Sequence, residues 1–359
     1  MATAFIIKHR YDALRVILSG SKLITGVGDD AVVQSFGSVR AAREHLDMVL
    51  SRRRREGYAI EEQELADADE DVLANAEVQP DPLAGCVVWD AEQRRMKVVF
   101  KGAEVPPGRC EAVVERAAQL RPVCLQVVCD HASPGLALSA ALAATPLPSV
   151  HHLVFDTFFQ TVTRQRDNSP GDVALVLAAL PELERAFLTG ALALTATSHP
   201  RLRELYLLGD PLTPATLAAL AASRFPALEV LGLTLAADAA PADAPAVAEA
   251  LRRVSAPQLR SVDVHGVGEL HALLDALTGA PLPPGWATLR LDGRVGDEDA
   301  LLELLTARAP VLASLRHLGL PLGDELSSEA ETQARGRVHG LVDREELHDL
   351  LTPGTYDTW

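Results

Sequence analysis

Four residues of this 359-residue chain have the types and spacing to do chemistry together: Asp263, His265, Arg290 and Asp292. A histidine among carboxylates on adjacent strands can hold a metal ion. His265 also opens the run His265-Gly266-Val267-Gly268-Glu269-Leu270-His271, which adds Glu269 and His271 as further ligand candidates. Arg290 falls between Asp263 and Asp292 once their segments are aligned, and a guanidinium there favours a ladder of ion pairs. No metal is expected.

The other chemical signals are weaker. Arg52, Arg53, Arg54 and Arg55 form a basic run that suits phosphate. The same run suits the last turn of a helix, where cations meet the negative end of the dipole. Cys86, Cys110, Cys124 and Cys129 show no Cys-x-x-Cys spacing, so buried reduced thiols are expected rather than zinc ligands. Gly26-Val27-Gly28 is too short for a phosphate loop, and His151-His152 opens a strand. No nucleophile elbow, metalloprotease helix or kinase signature is present, so neither enzymatic activity nor a cofactor is expected.

The elements that must position these residues recur. Pro200, Leu202, Leu205 and Leu207 are followed by Pro226, Leu228, Leu231 and Leu233, then by Pro257, Leu259, Val262 and Val264. Pro284 with Trp286, Leu289 and Leu291 follows, and Ala313 with Leu315, Leu318 and Leu320. Earlier copies begin at Pro148 and Pro181, and the starts lie 33, 19, 26, 31, 27 and 29 residues apart. The last two apolar positions of each copy sit two apart, the strand period, and share one face. Between copies the pattern turns helical: Thr213-Pro214 reads as a cap and first turn, and Leu270, Leu273, Leu274 and Leu277 form a stripe. Leu301, Leu304 and Leu305 form another. One strand and one helix cannot bury a core, so neighbouring units must stack. The 19-residue interval after Pro181 is too short for a full helix and predicts a kink.

The strand pattern resembles the leucine-rich repeat in its longer, ribonuclease-inhibitor-like form. That resemblance implies an α/β solenoid over residues 148–324, with parallel strands on the concave side and helices on the convex side. The position that usually carries asparagine holds Asp210, Ala236, Arg294 and Gly323 here, so the turns depart from the family.

Residues 1–60 read as a small α+β domain. Strand candidates are Phe5–Ile7, Leu14–Leu18 and Val32–Phe36, followed by a helix from Ser38 through Leu46, Val49 and Leu50 to a stop at Gly57. Gln34-Ser35-Phe36-Gly37-Ser38, the helix and Arg55-Glu56-Gly57-Tyr58 resemble the WGR domain, a module that helps hold DNA ends in poly-ADP-ribose polymerases. Thr25-Gly26-Val27-Gly28 stands where the defining tryptophan and arginine would be, so the DNA contact does not carry over. Residues 61–82 hold a dense acidic run and read as a linker. Residues 83–147 read as an amino-terminal cap with a hairpin around Asp90–Arg95, a helix near Glu111–Leu120 and a degenerate first repeat at Val123, Leu125 and Val127. Residues 325–359 read as a carboxyl-terminal cap or a docking tail carrying Tyr356 and Trp359.

Charge separates the two ends. The chain carries −16 overall, while residues 1–60 hold ten Lys/Arg against six Asp/Glu, leaving −20 for the remainder. An acidic solenoid disfavours nucleic acid on its surface. No apolar stretch reaches membrane-spanning length, and Lys8, His9 and Arg10 interrupt the first apolar run, so a cytoplasmic protein is expected. Abundant alanine and arginine with few lysines point to a high-GC bacterial source.

Alignment of the copies predicts the concave face. Its central row is Val154, Phe187, Tyr206, Gly232, Asp263, Arg290 and Gly319. One flanking row holds His152, Arg185, Glu204, Val230, Ser261, Thr288 and His317; the other holds Asp156, Thr189, Leu208, Thr234, His265, Asp292 and Pro321. Phe187, Tyr206 and Leu208 are expected as an exposed apolar anchor beside Glu204 and the charged cluster Asp263, His265, Arg290 and Asp292. The function expected is that of a scaffold or adaptor gripping a partner protein within a larger assembly. The alternative is a nucleic-acid-associated regulator acting through residues 1–60 and Arg52–Arg55.

Overall fold

The computed structural model describes residues 2–9, 12–19, 22–25, 32–35, 38–55, 59–63, 83, 86–101, 105, 108–130, 135–157, 169–209, 212–235, 244–322 and 326–343. The chain divides into two compact units, Met1–Val88 and Trp89–Trp359.

Among the described residues, the first unit is an antiparallel sheet with one helix. Strands β1 (Ala2–His9), β2 (Asp12–Ser19), β3 (Lys22–Thr25), β4 (Val32–Ser35) and β5 (Ala59–Gln63) lie in the order β4-β3-β2-β1-β5. Helix α1 (Val39–Arg55) sets Ala42, Leu46 and Leu50 against Val16, Leu18 and Leu23, with Ile60 packed on the same core. The four-residue step between the buried helix positions is one helical turn, which places them on one stripe. β5 corrects the expected linker boundary. Glu61–Gln63 pair with β1, because Ile60 anchors the strand on the core while the dense charge that follows hides its strand pattern. The Gly26–Gly28 motif position, the Gly57 stop and the rest of the acidic segment lie outside the described residues.

The second sheet has eleven strands in strict sequence order. They are β6 (Val87–Asp90), β7 (Arg95–Lys101), β8 (Cys124–Asp130), β9 (His152–Thr157), β10 (Arg185–Gly190), β11 (Glu204–Gly209), β12 (Val230–Thr234), β13 (Ser261–Val267), β14 (Thr288–Gly293), β15 (His317–Leu320) and β16 (Leu341–Asp343). From β7 to β16 every neighbouring pair is parallel. Among the described residues the helices between them are α2 (Arg109–Leu120), α3 (Gly135–Ala144), α4 (Val173–Ala179), α5 (Pro214–Ala222), α6 (Ala244–Arg253), α7 (Leu270–Thr278), α8 (Glu298–Leu312) and α9 (Ser328–Arg337). Consecutive helices α2–α3–α4 and α5–α6–α7–α8–α9 pack side by side. The result is an open, mostly parallel α/β sheet that fits a leucine-rich-repeat-like solenoid.

Local chemistry explains the repetition. Every copy hands its backbone to the next in one way: a carbonyl just before a strand accepts two N–H groups of the following copy. His151 O receives Glu184 and Arg185, Glu184 O receives Arg203 and Glu204, and Arg203 O receives Glu229 and Val230. Glu229 O, Arg260 O and Ala287 O continue the series to His317. Asp172, Thr213, Asp297 and Ser327 cap α4, α5, α8 and α9 by accepting from Ala174, Thr216, Ala300 and Ala330 N–H. The paired strand positions Leu205 and Leu207, Leu231 and Leu233, and Leu289 and Leu291 are each 0 % exposed. Each such side chain contributes about 1.5–3 kcal/mol by leaving water.

Strands on both flanks of the aligned copies, within the segments read as a cap with a degenerate first repeat and as a cap or tail, belong to the sheet itself. β7 and β8 are parallel members joined in register with β9, and α9 with β16 adds a further strand after β15. The tail from residue 344 onward lies outside the described residues, as do Asp210, Ala236 and Gly323. Residues 191–203, the short interval, carry no helix, as the spacing predicts.

Candidate functional site

The ladder pairs residues across the sheet as the aligned copies require. Val154, Phe187, Tyr206, Gly232, Asp263, Arg290 and Gly319 are successive register partners from β9 to β15. The row extends to Gln126 and Lys97 on one side and Val342 on the other. His152, Arg185, Glu204, Val230, Ser261, Thr288 and His317 form the flanking row in the same way. Alternation decides this: with Leu231 and Leu233 turned to the core, the residue between them must face outward.

Phe187 and Tyr206 meet with ring centroids 5.8 Å apart at an interplanar angle of 41°, a tilted aromatic pair. Tyr206 leans over Gly232, where an added Cβ would fall 2.3 Å from Tyr206 Cδ1. Gly232 is therefore the slot that holds the phenol ring flat on the sheet. This corrects one expectation: Phe187, Tyr206 and Leu208 are half-buried, not exposed, and for the two aromatics the cause is that the rings cover each other and the glycine slot. Beside them Arg185 Nε approaches Glu204 Oε1 at 3.2 Å. His152 is held below the ordinary imidazole value, first by burial and then by the neighbouring Arg185 cation.

The charged cluster assembles on β13 and β14. His265 Nε2 lies 3.0 Å from Asp263 Oδ2, and His265 Nδ1 lies 3.5 Å from Asp292 Oδ2. Burial works against charge on His265, but the bonds to Asp263 and Asp292 outweigh it and push its pKa to about 9. At neutral pH it is an imidazolium, and its 3.4 Å approach to Arg290 Nη2 sets donor against donor. Arg290 Nε sits 3.3 Å from Asp263 Oδ1, within range for charge attraction but without hydrogen-bond geometry, and both atoms are buried with no hydrogen-bond partner. Two cations and two anions thus neutralise one another in the ladder arrangement. Among the described residues, no group of three or more His, Cys, Asp or Glu is arranged to hold a metal ion. Glu269 and His271 form a separate contact at 3.8 Å.

A bulge lies beside the cluster. The β13–β14 register shifts between Val264 and Val267, and Gly266 there takes a φ of 68°, the left-handed region that glycine tolerates. Gly293 on β14 passes so close that a Cβ would fall 2.2 Å from Val267 O.

The remaining candidates lie elsewhere. Arg52–Arg55 form the last turn of α1, with Arg54 and Arg55 exposed and Arg55 Nε donating to Ser51 O at 3.4 Å. Cys86, Cys110, Cys124 and Cys129 are buried and form no disulfide. Burial, then Glu111, pushes Cys110 up to about 11, which makes it a poor nucleophile. Sequence reasoning missed His199, 2 % exposed in the helix-free interval. Its signal was positional: a polar side chain beside Pro200, where the backbone lacks a helix to satisfy it.

No helix among the described residues is long and apolar enough to cross a membrane. No family model matches the chain, and no curated protein matches it in sequence. Among solved structures, a Bacteroides fragilis protein determined as a structural-genomics target is similar to it. The TM-score is 0.57 at 14 % identity, covering 96 % of each chain. At that identity the likeness shows the fold alone.

Proposed function

We propose that residues 148–324 form a leucine-rich-repeat solenoid whose concave face binds a partner protein, and that the chain acts as a scaffold or adaptor without enzymatic activity. The observation that carries this reading is the aromatic pair Phe187–Tyr206, seated on the Gly232 slot and flanked by Leu208. On either side stand the ion pair Arg185–Glu204 and the self-neutralised cluster Asp263, His265, Arg290 and Asp292. Aromatic groups held rigid lose little entropy on binding, and a charged rim selects against wrong partners.

The test is a nuclease-treated capture from native lysate with wild type beside a Phe187→Ala/Tyr206→Ala variant of unchanged helical content. A stoichiometric protein present with wild type and lost with the variant supports the reading. A partner retained by the variant moves the interface off this face.

A second reading rests on Arg54 and Arg55, exposed at the end of α1 in a stretch of net charge +4. In it the first unit, which the sequence likens to a WGR domain, contacts nucleic acid. Binding of short duplexes that weakens with salt and with neutralisation of Arg52–Arg55 supports it; absence of binding at low salt rejects it.

A further inference from the structure

The interval between β10 and β11 does without a helix, and a buried histidine takes over its backbone. His199 Nδ1 accepts from Leu202 N–H at 3.0 Å, which obliges the proton to sit on Nε2. Nε2 in turn donates to Leu180 O at 3.0 Å, at the end of α4. His199 N–H donates to Arg224 O at 3.1 Å, so one residue ties three neighbouring copies together. The ring is inside the core, between Leu180 and Leu202, each 0 % exposed. Two residues beyond Leu202 begins β11, which carries Tyr206 and Leu208.

We propose that His199 is an acid-operated latch: a proton taken up on Nδ1 removes the acceptor that holds Leu202, sets donor against donor, and releases residues 191–203 from the sheet. The charged groups around the ring are few. Glu182, in the turn before β10, favours the cation, but Arg201 occupies its carboxylate at 2.6 Å. Arg224, beyond α5, meets His199 through its backbone carbonyl. Leu183, just before β10, and Leu205, on β11, are apolar and fully buried. Burial, the larger influence, holds His199 below its ordinary value of 6.5, against the Leu180 bond and Glu182.

The direction follows. A folded-state value depressed below the unfolded one gives stability that is complete above pH 6.5 and is lost as pH falls. In the opened segment His199 protonates at its ordinary value, so the opening equilibrium grows about tenfold per pH unit below that point.

The test is hydrogen exchange on the full chain from pH 7.5 to 5, reading protection factors of the 191–203 amides against those of β13 and β14. His199→Asn accompanies it, since Asn Oδ1 can accept from Leu202 N–H without titrating. The expected result is protection that falls about tenfold per unit below pH ~6.5 in wild type, and far less in the variant. Flat wild-type protection overturns the latch. An equally steep loss in the variant also overturns it, by assigning acid sensitivity to another group. Should the variant misfold, nitrogen chemical shifts of the His199 ring in wild type decide: an imidazolium in a still-protected segment refutes the proposal, and a neutral Nε2–H ring until the segment opens supports it.

Discussion

Gly232→Ala should destabilise the second unit or stabilise it slightly, depending on whether Tyr206 is present. A Cβ at position 232 would fall 2.3 Å from Tyr206 Cδ1, 2.9 Å from Cε1 and 3.2 Å from Cγ. Carbon atoms in ordinary contact sit about 3.5–4 Å apart, so the ring must move by roughly an ångström. Phe187 blocks one direction, with its centroid 5.8 Å away. Overpacking of this kind costs about 1–3 kcal/mol, and disturbing the aromatic pair about 0.5–1.5 more. In a Tyr206→Ala background the clash is gone. Gly232 has no positive φ, so alanine is then compatible and stabilises by about 0.4–1 kcal/mol through the unfolded chain. The double-mutant cycle should show a coupling of about 2–5 kcal/mol with a change of sign between backgrounds. The assay is urea unfolding followed by fluorescence of Trp286, 4 % exposed, with Trp89 and Trp359 replaced by Phe. Equal effects of Gly232→Ala in both backgrounds, within about 0.5 kcal/mol, would refute the slot.

Further outcomes follow from the same geometry. His265 has its folded-state pKa raised from 6.5 to about 9, so its contribution is complete below pH 6.5 and lost as pH rises through about 9. The stability gap between wild type and His265→Gln should be about 3 kcal/mol at most near pH 6 and shrink toward pH 10; a gap constant with pH refutes the imidazolium. Arg252→Ala removes a guanidinium that donates to Ala276 O, Leu277 O and Ala280 O at the end of α7, and should cost about 1–2 kcal/mol in thermal unfolding. Gly293→Ala places its Cβ against Val267 backbone, which cannot yield as a side chain can, and should cost about 3 kcal/mol or more. Gly296→Ala meets nothing within 4 Å and should stay within about 0.5 kcal/mol, a control measured in the same series.

Much was legible in the sequence because the strand period is two. Once the Leu-x-Leu pairs were aligned, each intervening residue had to face away from the core, which fixed Phe187 beside Tyr206 and Asp263 beside Arg290 before any coordinates. The helix stripes of α5, α7 and α8 and the Thr213 cap were equally local. Elements without a strong apolar signature were not legible: β5 behind Glu61 and Glu62, and α9 with β16 beyond the last leucine copy. Their place depends on hydrogen bonds to neighbouring strands, which no pattern within the segment records.

The sequence alone determined the succession of the repeats and the identity of the outward rows, because these follow from periodicity and from the need of each small unit to bury its apolar face, while the parallel strands were what the resemblance to the leucine-rich repeat implied. Only the tertiary structure decided how those rows behave. Phe187 and Tyr206 are half-buried because Gly232 leaves room for a ring to lie down. His265 meets two carboxylates because Asp263 on its own strand and Asp292 on β14 both lie within 3.5 Å of its ring nitrogens. His199 holds a helix-free interval because its two ring nitrogens reach backbone groups 19 residues upstream and three residues downstream. Each is a contact between residues of different copies or across a turn, set by packing distances that a one-dimensional pattern does not contain.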